Sequence, residues 1–170
     1  RLDPRSGEID GNARTGPVIA MAVQPAPAFV WALGRGPVDT PLLRIDQQTL
    51  AVQPLALSGS ADWALDDAFA LTVDGIWLYS AAFGKLYHAN PDGQLFAEIH
   101  VGQRKPLAPP ALLAGQGDIW LAAPWPALLR IDPGQRKVAA EIALDAPAES
   151  LALAGGSVWA VSPLSALAYR

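Results

Sequence analysis

One short segment recurs along this chain with a fixed internal marker, and that recurrence restricts the possible folds more than any other feature. Four apolar runs each carry one tryptophan: Phe29-Val30-Trp31-Ala32-Leu33, Gly75-Ile76-Trp77-Leu78, Asp118-Ile119-Trp120-Leu121 and Ser157-Val158-Trp159-Ala160. Successive tryptophans stand 46, 43 and 39 residues apart. About ten residues after each of the first three comes a second marker: Leu43-Arg44-Ile45-Asp46, Leu86-Tyr87-His88-Ala89-Asn90 and Leu129-Arg130-Ile131-Asp132. The chain closes on Leu167-Ala168-Tyr169-Arg170 and opens on Arg1-Leu2-Asp3-Pro4, which together make one more copy. Two markers sharing one period of roughly 40–45 residues indicate tandem structural repeats.

The third copy displays the repeat's interior most clearly. Ala111 to Ala114, Asp118 to Ala122, Ala127 to Ile131 and Val138 to Ala143 are short apolar or alternating runs. Gly115-Gln116-Gly117, Pro124-Trp125-Pro126 and Asp132-Pro133-Gly134 separate them, and these are turn-forming residues. Four strands of about five residues per repeat is the pattern of a β-propeller blade. Only Trp63 to Leu71 hints at helical spacing, and it reads as a loop running into a strand. The expected fold is therefore all-β, a propeller built from about four four-stranded antiparallel blades, forming part or all of the ring. The repeats fall at about 17–58, 67–105, 109–147 and 149–170, the last completed by 1–12, where Glu8-Ile9 would supply its fourth strand. One thin sheet cannot bury both its faces, so neighbours must stack, and the repeat tryptophans are the natural packing between sheets.

The pattern at residues 75 to 102, Gly-Ile-Trp-Leu followed by Leu-Tyr-His-Ala-Asn-Pro-Asp-Gly and Leu-Phe-Ala-Glu-Ile-His-Val-Gly, resembles a YVTN-type propeller repeat. The copy from Asp118 to Ile142 is similar to that family and to streptogramin-lyase-like propellers. The resemblance spans nearly the whole chain and rests on structural positions. It implies a propeller, commonly bacterial and extracytoplasmic, hence periplasmic or secreted, serving as a binding or scaffold protein. The streptogramin lyases use histidine and carboxylate side chains with magnesium, but no motif here maps those roles onto His88 or His100.

Composition narrows the function. The chain is 51% hydrophobic and 16% charged, enough apolar material for a core, with a net charge of −4 and no basic run. Nucleic acid is a poor partner for such a surface. No apolar stretch approaches the ~18 residues of a membrane-spanning helix. Without cysteine there are no disulfides, thiolate chemistry or Cys-type zinc sites. The chain begins with Arg1 and shows no signal region, as in a processed or partial chain. Three arrangements remain open: a segment of a larger propeller, a closed four-bladed ring, or a ring completed by a second copy.

In this architecture ligands meet the loops between blades and between second and third strands. In or beside those loops stand Trp63, Tyr79, Phe83 and Trp125, an aromatic set suited to a small-molecule or protein partner, with Arg35 and His100 nearby. For Trp125 the competing expectation is that it folds back onto its blade. Asp66, Asp67 and Glu149 precede innermost strands and could converge on Mg or Ca, or serve as acid and base; as simple solvated loop charges they would do neither. Arg104 and Lys105 could meet an anion, though ordinary solvation accounts for them. The leading functional expectation is a non-catalytic ligand- or protein-binding scaffold with no resident cofactor. The alternative is a metal-assisted lyase or lactonase-like hydrolase with a carboxylate-lined channel.

Overall fold

The computed structural model describes residues 5–6, 8–9, 11–15, 18–24, 29–34, 42–55, 68–102 and 107–170, with backbone alone at 18–20, 22–24 and 34. These residues form fifteen strands and one 3₁₀ turn, Pro163–Ser165. The fold is all-β, in four small antiparallel sheets of the propeller-blade type. The first sheet is β1 (Val18–Gln24), β2 (Phe29–Gly34), β3 (Leu42–Asp46) and β4 (Val52–Leu55), hydrogen-bonded in that order. The second is β5 (Ala68–Thr72), β6 (Gly75–Ser80), β7 (Lys85–Ala89) and β8 (Leu95–His100). The third is β9 (Ala111–Gly115), β10 (Asp118–Ala122), β11 (Ala127–Asp132) and β12 (Lys137–Ala143). The fourth has three strands, β13 (Ser150–Ala154), β14 (Ser157–Ser162) and β15 (Leu167–Tyr169). The proposed closing residues Glu8 and Ile9 are both exposed, and Ile9 makes an isolated bridge.

Two compact units divide the chain, Arg1–Leu57 and Ser58–Arg170. In the first, Trp31, Ala32, Leu33, Leu42 and Ile45 are buried. The Arg44 guanidinium lies 4.8 Å from the Phe29 ring centre and donates through Nη2 to Gln53 Oε1 at 2.6 Å. The turn into β4 is built by Asp46, whose Oδ1 accepts from the backbone N–H of Gln48 (2.9 Å) and Thr49 (2.7 Å) and from Thr49 Oγ1 (3.0 Å). Those bonds, Thr49's backbone first, hold the Asp46 carboxyl below its ordinary value. The repeat places the same device elsewhere. Asn90 Oδ1 accepts from Asp92 and Gln94, and Asp132 Oδ1 accepts from Gln135. The side-chain oxygen accepts from backbone N–H groups that the turn leaves without a backbone acceptor. Asp46→Ala should therefore speed hydrogen exchange at the Gln48 and Thr49 amides, whereas Asp46→Asn should leave it nearly unchanged; equal acceleration in both would show that the charge, not the acceptor, holds the turn.

In the second unit, sheets pack face to face. Side chains alternate along a strand, so residues i and i+2 share a face. On one face of the second sheet, Trp77 and Tyr79 of β6, Leu86 of β7 and Ile99 of β8 are buried. They form one apolar cluster with Ile119 and Leu121 of β10 and Leu129 and Ile131 of β11. That cluster is the seam between second and third sheets. The third sheet's other face meets the fourth through Ala122, Ala148 and Ala160, with Leu151 and Tyr169 against them. Trp159 alternates with Ala160 and so faces away from the third sheet. It is 36% exposed, whereas Trp77, at the same repeat position, is 1% exposed. The tryptophan's place in the repeat is the same, and Trp77 is covered by the third sheet.

Turn chemistry sets the register. Gln116 and Gly117 both adopt positive φ (59° and 83°), as do Gly155 and Gly156 (56° and 70°). These two-residue turns match strand twist and close β9–β10 and β13–β14. Gly75 is needed for space. A Cβ there would lie 2.1 Å from the Ala89 carbonyl oxygen, so the close approach of β6 to β7 admits no larger residue.

Candidate functional site

In an antiparallel meander, the loops joining second to third strands and the connections between sheets lie at one end. In the second unit the described residues there are 81–84, 123–126 and 163–166, with 101–102, 107–110 and 144–149 in the connections between sheets. Backbone hydrogen bonds tie them together. Val101 N–H donates to Gly84 O (2.9 Å), Leu107 N–H to Pro124 O (2.6 Å) and Leu144 N–H to Pro126 O (3.1 Å). Ala146 N–H donates to the Tyr169 hydroxyl at 3.1 Å, fastening the last connection to β15. The loops are thus held on the sheets.

Trp125 does not stand up from its loop. Pro124 and Pro126 restrict the backbone, and Ala127 N–H closes the tip onto Trp125 O at 2.6 Å. The indole is 4% exposed and joins the seam with Ala81, Ala123 and Ala127, whose small side chains leave room for a large ring. Burying an indole against apolar neighbours is worth more than presenting it to water. Tyr79 is likewise fully buried in that cluster. Of the expected aromatic set Trp63, Tyr79, Phe83 and Trp125, Tyr79 and Trp125 are therefore seam residues, Trp125 folded back onto its blade, because each belongs to a loop or strand whose inner face the neighbouring sheet covers.

Phe83 keeps its ring partly in solvent, at 39% exposure. His100 is exposed at the end of β8, with Nε2 3.3 Å from Glu98 Oε1; the same carboxylate oxygen lies 3.0 Å from Lys85 Nζ. Glu149 is half-buried, and its N–H donates to Val161 O at 2.9 Å as the chain turns into β14's partner strand. Among the described residues no three His, Asp or Glu side chains come close enough to hold a metal ion. Trp63, Asp66, Asp67, Arg35, Arg104 and Lys105 lie outside the described residues.

Two residues missed in the sequence extend the same loop end. Leu107 is 61% exposed, and Leu164, on the 3₁₀ turn between β14 and β15, is 87% exposed. A leucine between Pro163 and Ser165 in a turn was the available signal. With Phe83 they give an apolar side chain on the loop end of each of the three sheets, or on the connection bonded to it. The opposite ends are tight turns carrying Asp74, Asn90, Asp92, Asp132 and glycines, with Val73 exposed among them.

No protein-family model matches this sequence, and no curated protein matches it. Solved structures do. Hydrazine synthase of Kuenenia stuttgartiensis superposes over 91% of this chain and 45% of its own, with 16% identity and a TM-score of 0.66. Virginiamycin B lyase from Staphylococcus aureus, solved with quinupristin, matches over 80% of this chain and 45% of its own, at 16% identity and TM-score 0.60. Dihydro-haem d1 dehydrogenase matches over 94% of this chain and 36% of its own, at 19% identity and TM-score 0.64. These neighbours are β-propellers, and at these identities the likeness is one of fold. The streptogramin-lyase-like resemblance read from the repeats holds at that level. The chain spans less than half the length of these structures.

Proposed function

We propose that this chain is a binding scaffold whose loop end receives an apolar segment of a protein or a small apolar ligand. The observation that carries the reading is the exposure of Phe83, Leu107 and Leu164 on loops anchored by backbone hydrogen bonds. Loops at rigid strand ends are where such folds place recognition, and apolar side chains exposed there gain most from a partner. Their polar surround comes from Lys85, Glu98 and His100 at the β7–β8 end, a mixed-charge rim that orients a ligand without selecting one sign. No helix of the described chain is long and apolar enough to cross a membrane. An extracytoplasmic setting, periplasmic or secreted, fits the repeat resemblance and forms part of the proposal.

The test is a displayed library of random twelve-residue peptides selected on the immobilised protein. Peptides enriched on the native chain should lose at least tenfold in affinity for the triple variant Phe83→Ser, Leu107→Ser, Leu164→Ser, with its thermal transition unchanged. Selected peptides that bind both proteins equally would move the site elsewhere. An increase in melting temperature with millimolar magnesium or calcium, abolished by Asp67→Asn, would instead favour the metal-assisted alternative.

A further inference from the structure

Near the opposite end of the second sheet lies a buried titratable group that the proposed binding surface does not use. His88, in β7, is 4% exposed. Its ring stacks on Trp77, its cross-strand partner, with centroids 4.0 Å apart and planes 15° from parallel. Phe96 of β8 closes the other side at 4.0 Å, tilted by 52°. The Nε2 atom is buried and has no hydrogen-bond partner. Gly75 lies against it, where a Cβ would come within 3.1 Å of Nε2. A neutral imidazole with an unused ring nitrogen can remain in such a slot; an imidazolium there is poorly solvated.

Two charged groups act on the ring, from two different turns. Asp74, in the β5–β6 turn, places Oδ2 3.8 Å from Nε2. Arg136, in the β11–β12 turn of the third sheet, acts in the opposite sense. The ring's packing partners on β6 and β8, Trp77 and Phe96, carry no charge. Burial is the largest influence and lowers the His88 pKa, Asp74 raises it, and Arg136 lowers it further, leaving it below the ordinary 6.5.

We propose that His88 is a proton-operated latch within the second sheet: neutral, it fills the slot between Trp77 and Phe96; protonated, it leaves the slot and pairs with Asp74. The direction follows from linkage. With a depressed native pKa, the unfolded or opened chain takes up the proton first. The stabilisation is complete above about pH 6.5 and is lost as pH falls below that value toward the lower native one, by up to tenfold in the folded-to-unfolded ratio per pH unit. The device belongs to the physiological acid range, where histidine alone among unperturbed side chains changes charge.

The experiment follows the imidazole proton signals of the intact protein by NMR from pH 8 to 4, with urea unfolding at pH 7.5 and 5. The chain has only two histidines, so His100→Gln assigns the pair. His88 is expected to titrate below its ordinary value, higher in Arg136→Gln and lower in Asp74→Asn. The urea midpoint should fall between pH 7.5 and 5 by more in the native chain than in His88→Phe, which keeps a stacked ring. Both charge variants lie in exposed turns, so the titration remains readable even if His88→Phe does not fold. Titration of His88 at or above its ordinary value, or a pKa unmoved by either charge variant, would overturn the proposal, as would an equal fall of midpoint in His88→Phe.

Discussion

Replacing Trp77 with alanine is expected to remove about 3–5 kcal/mol of stability, the usual cost of deleting a large buried aromatic. The indole is 1% exposed, and the cluster around it includes side chains from both sheets of the seam. Its loss removes the stacking surface of His88 as well. The surrounding strands are held by paired backbone hydrogen bonds from Ala68↔Tyr79 to Lys85↔His100, so they cannot collapse inward to refill the space. For a unit of this size, that loss corresponds to a melting temperature lowered by roughly 12–20 °C. Calorimetry or chemical denaturation measures it. A change under 1 kcal/mol would mean that Trp77 does not fill a closed seam.

The second large effect is expected at Trp125. Its place between two prolines makes it look like a presented recognition residue, and truncating such a residue would weaken a ligand and leave folding alone. Its burial beside Ala81, Ala123 and Ala127 predicts the reverse. Trp125→Ala should destabilise by about 3–5 kcal/mol, because the ring fills a space that three alanines cannot fill without it. Trp125→Phe should recover part of that loss, since a smaller ring restores some of the volume. Unfolding free energies of the two variants give the answer. A fully stable Trp125→Ala would return the residue to the surface and restore its case as a ligand contact.

These two tryptophans also mark how far the sequence can be read. Strand positions followed from local chemistry. The runs Asp118 to Ala122 and Ala127 to Ile131 became β10 and β11 with at most one residue of difference, because Gln116-Gly117 and Asp132-Pro133-Gly134 permit little but a turn. Stacking of sheets followed from the thinness of each repeat. Side-chain exposure did not follow. Trp77 and Trp159 occupy the same place in the repeat, yet one is sealed against the third sheet and the other is 36% exposed, a difference that the local sequence does not carry. Trp125 turned inward for a comparable reason: the room for its ring comes from alanines on separate segments, which no local pattern announces. Leu107 and Leu164 were overlooked because a single leucine in a loop carries no periodicity. The latch at His88 needed the register, since only the pairing of β6 with β7 and the turn geometry bring Trp77, Asp74 and the imidazole together.

Hydrogen exchange on the Trp77→Ala protein examines the shared seam most directly. If the second and third sheets form one cooperative structure, amides in β10 and β11 should lose protection along with those in β6 and β7, although the substitution lies in β6 alone. Loss confined to β5–β8, with β9–β12 as slow to exchange as before, would show that the sheets are stable separately and that the seam does not hold them together.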